Sequence, residues 1–548
     1  MNAPLRGIVD QSTEPKSAAD RWPKQIKFIV GNEACERFSY YGMRSILAGY
    51  ITGEVLKGGL GQDADTATSI IHTFVFANYF MPLFGAWLSD KIVGRYHTIL
   101  WVSLFYCVGH GVLACSDFVP GVHGKMWCIF AGLALIAFGS GGIKPCVSAF
   151  MGDQFKPEQS HLLQKAYGAF YWSINLGSFF SFLVVPWTKN HHGYSWAFGV
   201  PGVLMAIATL IFWLGTKHYV RVPPSRQTRS AGFISVFFTA FAHQRGITFD
   251  ALLNILASLG IPLIAMIAMA VVAFAARMSP IVRGIGWAAL GLVGLWYLLI
   301  VIKSLLNKLE LSENFWAAAR IRYAEKEIAA ARSVGPILFV FALIPPFWCL
   351  FDQTNSTWVL QGGKMIPFDL LGLHIGAEQM QSANPLLVMM LVPLLTLGIY
   401  PLLGRFASPL RRISYGMFLG TFSYVIVAGL QARLEAGAQI SVAWQTLPYI
   451  VLTTAEVLVS TTGLEFAFRE AAPEMKSLIM SFWLLTVAFG NLVVTTITKL
   501  FSGAGAHEAS VSTSRFFMYA GLMFVVAILF SIIATRYRYR DEAAARGK

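Results

Sequence analysis

The sequence predicts an all-α polytopic membrane protein with two six-helix bundles and two further helices inserted between them, 14 membrane-spanning helices in all. Three observations predict this class. Of the 548 residues, 56% are hydrophobic and 13% are charged, whereas soluble domains carry roughly 25% charged residues. Apolar runs of about 20 residues, enough to cross about 30 Å of hydrocarbon, recur along the chain. Basic residues gather in alternate loops.

Hydropathy predicts where each helix lies. The expected spans are near 26–51, 67–89, 97–116, 126–150, 165–188, 196–216, 249–276, 282–305, 335–358, 385–404, 413–432, 444–467, 477–500 and 515–536. We therefore expect five regions: an N-terminal tail 1–25, a first bundle 26–216, a central region 217–334, a second bundle 335–536 and a C-terminal tail 537–548. The central region holds the two extra spans, and its segment 306–332, rich in Ala, Glu, Lys and Arg, predicts a cytoplasmic surface helix.

The positive charge of the chain follows its topology. The formal net charge is +14, and about 30 of the 42 Lys and Arg residues fall in the loops on the side of the N-terminus, against about nine on the other side. This asymmetry predicts that both termini are cytoplasmic. Because the basic residues are spread over many loops, it also argues against a nucleic-acid partner. The first 25 residues lack an apolar stretch, so we expect no cleaved signal peptide.

The usual signatures of catalysis and cofactor binding are missing from the sequence. The six cysteines form no CxxC pair and fall mostly within predicted spans, so neither a disulfide framework nor a metal site is expected. Walker A, dinucleotide-binding and HExxH motifs are missing too. We therefore expect a non-enzymatic protein without a bound cofactor.

The loop between the second and third spans reads GAWLSDKIVGRYHTIL. Gly85 and Gly94 allow close approach of the backbone, while Asp90 and Arg95 are placed for short polar contacts across a tight turn. This pattern resembles the loop signature of the major facilitator superfamily; an ordinary charged turn is the alternative. A count of six, two and six spans is also typical of transporters built from repeated bundles.

The first predicted span contains ionisable side chains, which are costly inside a membrane unless they are paired or face water. They follow steps of three and four and therefore share one helical face. This face carries Glu33, Arg37, Tyr40, Tyr41 and Arg44, with Glu36 close beside it.

Further charges divide between the two bundles. The first bundle adds Lys144, whereas the second supplies the carboxylates Asp352 and Glu456. This division allows ion pairs across the bundles to form in one state and break in another. Static pairs that only fix the helix register are the alternative, although buried ion pairs are weak evidence for stability.

Four motifs together resemble the proton-dependent oligopeptide transporters of the major facilitator superfamily. They are ExxERFxYYG at 33–42, GxGGIKPxVSAFxGDQF at 139–155, FYWSINLGS at 170–178 and GLEFAF…APxxMKS at 463–477. The two central extra spans resemble those of bacterial members. Cys146 departs from the pattern, because many relatives have Asn after the KP pair.

The resemblance implies a site for di- and tripeptides. Glu456 would anchor the peptide ammonium, while Arg44 and Lys144 would anchor the carboxylate, for which guanidinium and ammonium groups are suited. Asn175 and Asn384 would hydrogen-bond the peptide backbone. Aromatic side chains would line the side-chain pockets, with plain packing as the alternative for each; these are Tyr40, Tyr41, Tyr79, Trp348 and Trp483.

The resemblance also implies proton coupling. Glu33 and Glu36 beside Arg37 form a cluster in which the loss of a partner favours protonation of a carboxylate. Asp352 would pair with Arg44 until a peptide carboxylate competes for the guanidinium. His72 matches a histidine used in proton coupling by some members; a polar packing role is the alternative.

We therefore expect a monomeric symporter that imports di- and tripeptides with protons as co-substrate, embedded in the bilayer of a bacterial inner membrane. A channel is disfavoured, because its filter would show rings of like groups. A membrane-embedded enzyme is also disfavoured, because the sequence shows no nucleophile and base at a recognisable spacing. Carriers of nitrate or an amino-acid derivative remain the closest alternatives, although a purely anionic substrate has little use for Glu456.

Overall fold

The computed structural model describes residues 22–224, 232–244, 252–253, 255–306, 311, 313–472, 475–502, 509–537 and 539. The predicted tails 1–25 and 537–548 lie mostly outside these ranges. Within them the chain is almost entirely helical, as the hydropathy pattern predicts.

Six long helices form the N-terminal half. They are α1 Ile26–Thr52, α2 Ala64–Leu88, α3 Arg95–Ala114, α4 Gly121–Gly152, α5 Ser160–His192 and α6 Tyr194–Leu214. Short connections make neighbouring helices antiparallel, so the odd-numbered ones run away from the end where α1 begins. We call that end proximal and the opposite end distal.

The crossing of α2 and α4 depends on small residues. A Cβ atom on Gly85 would lie 2.1 Å from the carbonyl oxygen of Gly142, well inside van der Waals contact. The backbones therefore touch directly, which explains the glycine in the loop signature and the glycine cluster of α4.

Among its described residues, the central region contains three apolar helices, α7 Phe233–Ala242, α8 Ile261–Phe274 and α9 Pro280–Leu305. A turn of π-helix, Leu256–Gly260, precedes α8. The predicted surface helix at 306–332 is wrong as one element. Its described part divides into α10 Glu313–Ala317, a 3₁₀ turn and α11 Glu325–Arg332. Because α10 buries Phe315 and Trp316 beneath α7, packing overrides the helical propensity of the charged residues around them.

The C-terminal half begins with a helix broken in three pieces, α12 Val334–Phe341, α13 Pro345–Phe351 and α14 Thr357–Gly362. The chain bends by 45° between α12 and α13, where Pro345 and Pro346 remove two backbone donors. A 3₁₀ turn, Asp352–Asn355, separates α13 from α14. This break places Asp352 on irregular backbone in the middle of the predicted span.

The remaining helices complete the C-terminal half. They are α15 Ala383–Pro393, α16 Tyr400–Leu403, α17 Pro409–Glu435, α18 Thr446–Glu470, α19 Lys476–Phe501 and α20 Thr513–Arg536. A small hairpin at the distal end, β1 Phe368–Leu370 and β2 Leu373–Ile375, pairs Phe368 with Ile375 in antiparallel register. Leu371 and Gly372 both have positive φ, 51° and 79°, as a two-residue type I′ turn requires.

Each of the 14 predicted spans coincides with at least one described helix. By length and apolar composition alone, 11 helices of the described chain qualify as membrane spans, or 12 if the bent helix counts as one. The difference from 14 lies in two elements. Helix α1 is 27 residues long but contains five charged residues, and α8 is only 14 residues long, with part of its predicted span outside the described residues.

Candidate functional site

A carboxylate–guanidinium cluster lies on the face of α1 toward its proximal end. The Nε atom of Arg37 is 2.8 Å from Oε1 of Glu33 and 2.6 Å from Oε2 of Glu36. All three residues are buried, and Ser140 of α4 donates to Glu36 over 3.3 Å. One guanidinium is therefore shared by two carboxylates, whose combined negative charge exceeds the single positive charge of Arg37.

The two halves are joined by an ion pair at the centre of the molecule. Nη2 of Arg44, on α1, lies 2.7 Å from Oδ1 of Asp352 in the broken helix. Both side chains are buried. Separating the halves here would leave two uncompensated charges, which is costly unless another anion takes Arg44 or a proton neutralises Asp352.

A chain of hydrogen bonds extends this pair toward α2 and α19. Asn491 of α19 donates through Nδ2 to Oδ2 of Asp352 at 2.7 Å, and its Oδ1 lies 2.6 Å from Nδ1 of His72. The Nε2 atom of His72 lies 2.8 Å from the hydroxyl of Ser356. Since the Asn491 amide donates to Asp352, its oxygen accepts, so His72 carries its proton on Nδ1 and Nε2 accepts from Ser356. We call Ser356, His72, Asn491 and Asp352 the relay.

Two cations of the N-terminal half have donors without a hydrogen-bond partner. The ammonium of Lys144 makes no hydrogen bond and lies 4.0 Å from the ring centroid of Tyr79 and 4.7 Å from that of Tyr40. Nε of Arg44 is also unpaired. Aromatic faces stabilise the ammonium without occupying its donors. An incoming carboxylate therefore finds donors on both residues.

The C-terminal half contributes a further carboxylate, that of Glu456 on α18. Oε2 of Glu456 on α18 accepts from Nδ2 of Asn384 over 2.7 Å, and Asn384 also donates to Thr453. Among the residues that the structure describes, no basic side chain forms an ion pair with Glu456. Glu456 is thus a carboxylate of the C-terminal half whose hydrogen bond comes from a neutral amide and not from a cation.

The remaining predicted residues make contacts with neighbouring aromatic, amide and backbone groups. Trp348 and Trp483 form an edge-to-face pair with ring centroids 6.2 Å apart. Tyr40 is fully buried, accepts a hydrogen bond from Asn78 and contacts the Lys144 ammonium with its ring. Asn175 donates to the carbonyl of Tyr171 one turn earlier.

The loop signature at the proximal end forms a polar contact between helices. Arg95 lies 3.4 Å from Asp90 within the loop and 2.7 Å from Asp153 at the end of α4. Gly94 has φ of +83°. The arginine thus ties the loop to α4, a partner that the loop motif alone does not reveal.

Several residues of the site were missed by sequence reasoning, namely Asn491, Ser356, Asn78 and Asp153. Asn491 interrupts the apolar run FGNLVV, and an amide within a membrane span is itself a signal of function. Asn78, within the predicted span 67–89, offered the same signal. Ser356 carried none, because hydroxyl side chains are common in membrane helices.

The fold and the site together define a polytopic membrane protein of major facilitator architecture, with a charged central site between two six-helix halves. The sequence matches the POT family over residues 96–512, and the chain belongs to this family.

Known relatives agree with that assignment. The chain is 34% identical to "Peptide transporter family 1" of Drosophila melanogaster, over 76% of this chain and 49% of that protein. It is 32% identical to "Solute carrier family 15 member 2" of Rattus norvegicus, over 83% of this chain and 55% of that protein. It therefore spans about half the length of these relatives. A solved auto-inhibited POT family peptide transporter superposes with a TM-score of 0.78 at 38% identity, over 94% of this chain and 98% of the other.

Proposed function

We propose that this protein is a proton-coupled symporter of di- and tripeptides that works by alternating access of its two halves. One observation carries the proposal: Lys144 and Arg44 of one half have donors without a hydrogen-bond partner, while Glu456 of the other half has no cationic partner among the described residues. A peptide is a zwitterion whose two ends fit this arrangement. Asn384 and Asn175 supply amides for its backbone, and the Trp348–Trp483 pair lines space for its side chains.

Coupling follows from competition for Arg44. A peptide carboxylate that binds Arg44 weakens the contact of Arg44 with Asp352, and a proton on Asp352 then removes the remaining attraction between the halves. The relay offers His72 as a second proton acceptor in contact with Asp352 through Asn491. Glu33, Glu36 and Arg37 form a further site where a proton neutralises the surplus charge.

The contacts of Arg44 with Asp352 and of His72 with Ser356 and Asn491 lie in the halves of α1 and α2 that are nearer the distal end, which fits a carrier closed on that side. We propose that the distal side faces outward and that both termini are cytoplasmic, in keeping with the distribution of basic residues. The inserted helices α8 and α9 support the bacterial type and a place in the inner membrane. A single chain contains the whole site, so we propose that the monomer transports.

Carriage of nitrate or another anion is the second candidate. It would use Arg44 and Lys144 but leave the Glu456 carboxylate opposite them without a role. An amino-acid derivative with a free ammonium would use both ends. Competition assays with nitrate and with dialanine separate these substrates.

The deciding experiment is uptake of labelled dialanine into vesicles with an imposed pH gradient. We expect accumulation above equilibrium that a protonophore abolishes. An absence of gradient-dependent accumulation by well-folded protein would rule out symport. Nitrate inhibiting dialanine uptake as strongly as a second dipeptide would favour the anion carrier.

A further inference from the structure

A second ion pair joins the halves nearer the distal surface. Nζ of Lys189, at the distal end of α5, lies 2.5 Å from Oε2 of Glu378, which precedes α15 in the C-terminal half. Glu378 is 7% exposed. A Cβ atom on Gly49 of α1 would lie 2.5 Å from Oε1 of Glu378, so the carboxylate packs against bare backbone. Beside it, Gln381 donates to the carbonyl of Ser45.

This pair lines a cavity of about 480 Å³ that opens at the distal end. Gly49 and Thr52 of α1 form one wall, and Lys364 and His374 form part of another. Gly49 lies five residues beyond Arg44 on the same helix, about 7.5 Å farther along its axis. The cavity therefore stands directly outside the Arg44–Asp352 pair, and its size lies within the range of small-molecule sites.

The outer pair has the same polarity as the central site. Its cation belongs to the N-terminal half, like Arg44 and Lys144, and its anion belongs to the C-terminal half, like Glu456. A zwitterion held at the outer pair with its carboxylate on Lys189 and its ammonium on Glu378 is already oriented for the central site. It needs only to move inward without turning round.

We propose that Lys189 and Glu378 form an outer binding site that captures the two charged ends of a peptide and presets its orientation. The inference rests on the proposed peptide transport. In the absence of substrate the two residues close on each other. An arriving zwitterion replaces each partner with an opposite charge of its own, so opening the outer pair leaves neither side chain uncompensated.

The test compares entry from the distal side with exit from the proximal side, in vesicles of known protein orientation. Lys189→Gln and Glu378→Gln are expected to raise the KM for dialanine entry about tenfold, the usual effect of losing one charge-assisted contact. The KM for exit should change less than twofold. Lys57→Gln removes a positive charge from the distal surface outside the cavity, where Lys57 pairs with Glu54 at 3.1 Å, and should leave both values unchanged.

The exchanged variant Lys189→Glu with Glu378→Lys separates capture from simple closure. It restores an ion pair between the halves but reverses its polarity. We expect its entry KM to stay as high as in the single variants. Recovery of the wild-type KM would show that the pair is only a latch, and unchanged entry KM in the single variants would equally overturn the proposal.

The outcome also separates this inference from the proposed function. If wild-type protein shows no gradient-driven dialanine uptake, both the proposed function and this inference are ruled out. If wild-type protein transports dialanine and the variants have the same entry KM, only the outer site is ruled out. If Glu378→Gln fails to elute as a monodisperse peak, Lys189→Gln and the exchanged variant still decide.

Discussion

At the scale of single residues, Asn491 connects two titratable side chains of the site. Its amide bonds Asp352 on one side and His72 on the other, so the protonation state of each affects the other. If Asp352 takes a proton and the His72 proton moves from Nδ1 to Nε2, the amide can rotate by half a turn, accept from the acid and donate to Nδ1. The residue thus links two titratable groups without itself titrating.

Replacing Asn491 by Leu, of similar size, should therefore separate coupling from transport. We expect gradient-driven uptake of dialanine to fall at least about tenfold, a loss typical of a broken buried polar contact. Exchange of peptide across the membrane without a gradient should persist. Equal loss of both activities in a protein that elutes normally would mean that Asn491 only supports the structure.

Glu456 tests recognition of the peptide ammonium. Glu456→Gln should raise the KM for dialanine about tenfold or more, because the charged contact is lost while the shape is kept. The matched control is Glu465→Gln, on the same helix, whose carboxylate pairs with Arg412 at 2.9 Å. A KM for Glu456→Gln equal to that of the control would contradict the assignment.

Predicting these residues from the sequence succeeded where charge was the signal. The face of α1, Lys144, Asp352 and Glu456 are conspicuous because a charge in an apolar run needs a reason. Asn491 was within reach on the same argument. Which charges pair with each other could not be predicted from local patterns, because Arg44 and Asp352 are 308 residues apart.

At the scale of secondary-structure elements, the α2–α4 crossing makes a sharp prediction. Gly85→Ala should lower stability by about 1–3 kcal/mol, because the added Cβ overpacks a backbone contact. Gly111→Ala is the matched control in α3, where a Cβ meets nothing within 4 Å. The control should be neutral or stabilising. Thermal unfolding followed by size-exclusion chromatography measures both, and equal melting temperatures would refute the account of the crossing.

The outer pair makes a prediction about pH at the element that precedes α15. Burial raises the pKa of Glu378, while Lys189 opposes the shift. As the distal pH falls, Glu378 therefore takes a proton at a higher pH than an exposed glutamate would, and the pair with Lys189 is lost. Lowering the pH should open the cavity and expose Thr52. Other ionisable groups near Glu378 are Tyr194, Lys364 and His374.

The readout is labelling of Thr52→Cys by a methanethiosulfonate reagent, taken relative to the same variant with Glu378→Gln. The ratio should rise as the pH falls. The His374→Gln background should show the same rise, because His374 pairs with Asp369 and not with Glu378. A ratio that is flat with pH would argue against the opening.

Helix positions were predicted well and helix interruptions poorly. Hydropathy depends on average composition, so it found every span but drew 335–358 as one helix. The structure breaks that helix at Pro345 and again at Asp352. The first break has a sequence signal in its prolines, whereas the second is stabilised by tertiary contacts such as Arg44–Asp352 and has none.

At the scale of the whole molecule, alternating access requires the distal ends of α2 and the segment before α20 to separate. The hydroxyls of Thr68 and Ser510 are 3.3 Å apart and buried, close enough for a disulfide between cysteines there. The double variant Thr68→Cys with Ser510→Cys should lose dialanine uptake on oxidation and regain it on reduction. Each single variant serves as a control, and an oxidised, cross-linked double variant that still transports would exclude opening at this point.

The general architecture was predictable because only a few backbone structures can span a bilayer. The length of the apolar runs and the position of the basic loops indicate where the helices lie and how they are oriented. How the halves meet was not predictable in the same way. The contacts of the relay and of the outer pair join residues separated by 139 to 419 positions, and no local pattern in the sequence links them.

The inserted helices offer a practical handle on that motion. Lys499 of α19 donates to the carbonyls of Val272, Ala273 and Ala275 over 3.1, 2.7 and 3.0 Å, so the end of α8 is fastened to the C-terminal half. The hairpin α8–α9 packs mainly on α19 and α20 and meets α2 through the rings of Phe76 and Phe274. A fluorophore or a rigid binding domain attached at the α8–α9 turn would therefore move with the C-terminal half. It would report the proposed motion of that half relative to the other without entering the proposed peptide site.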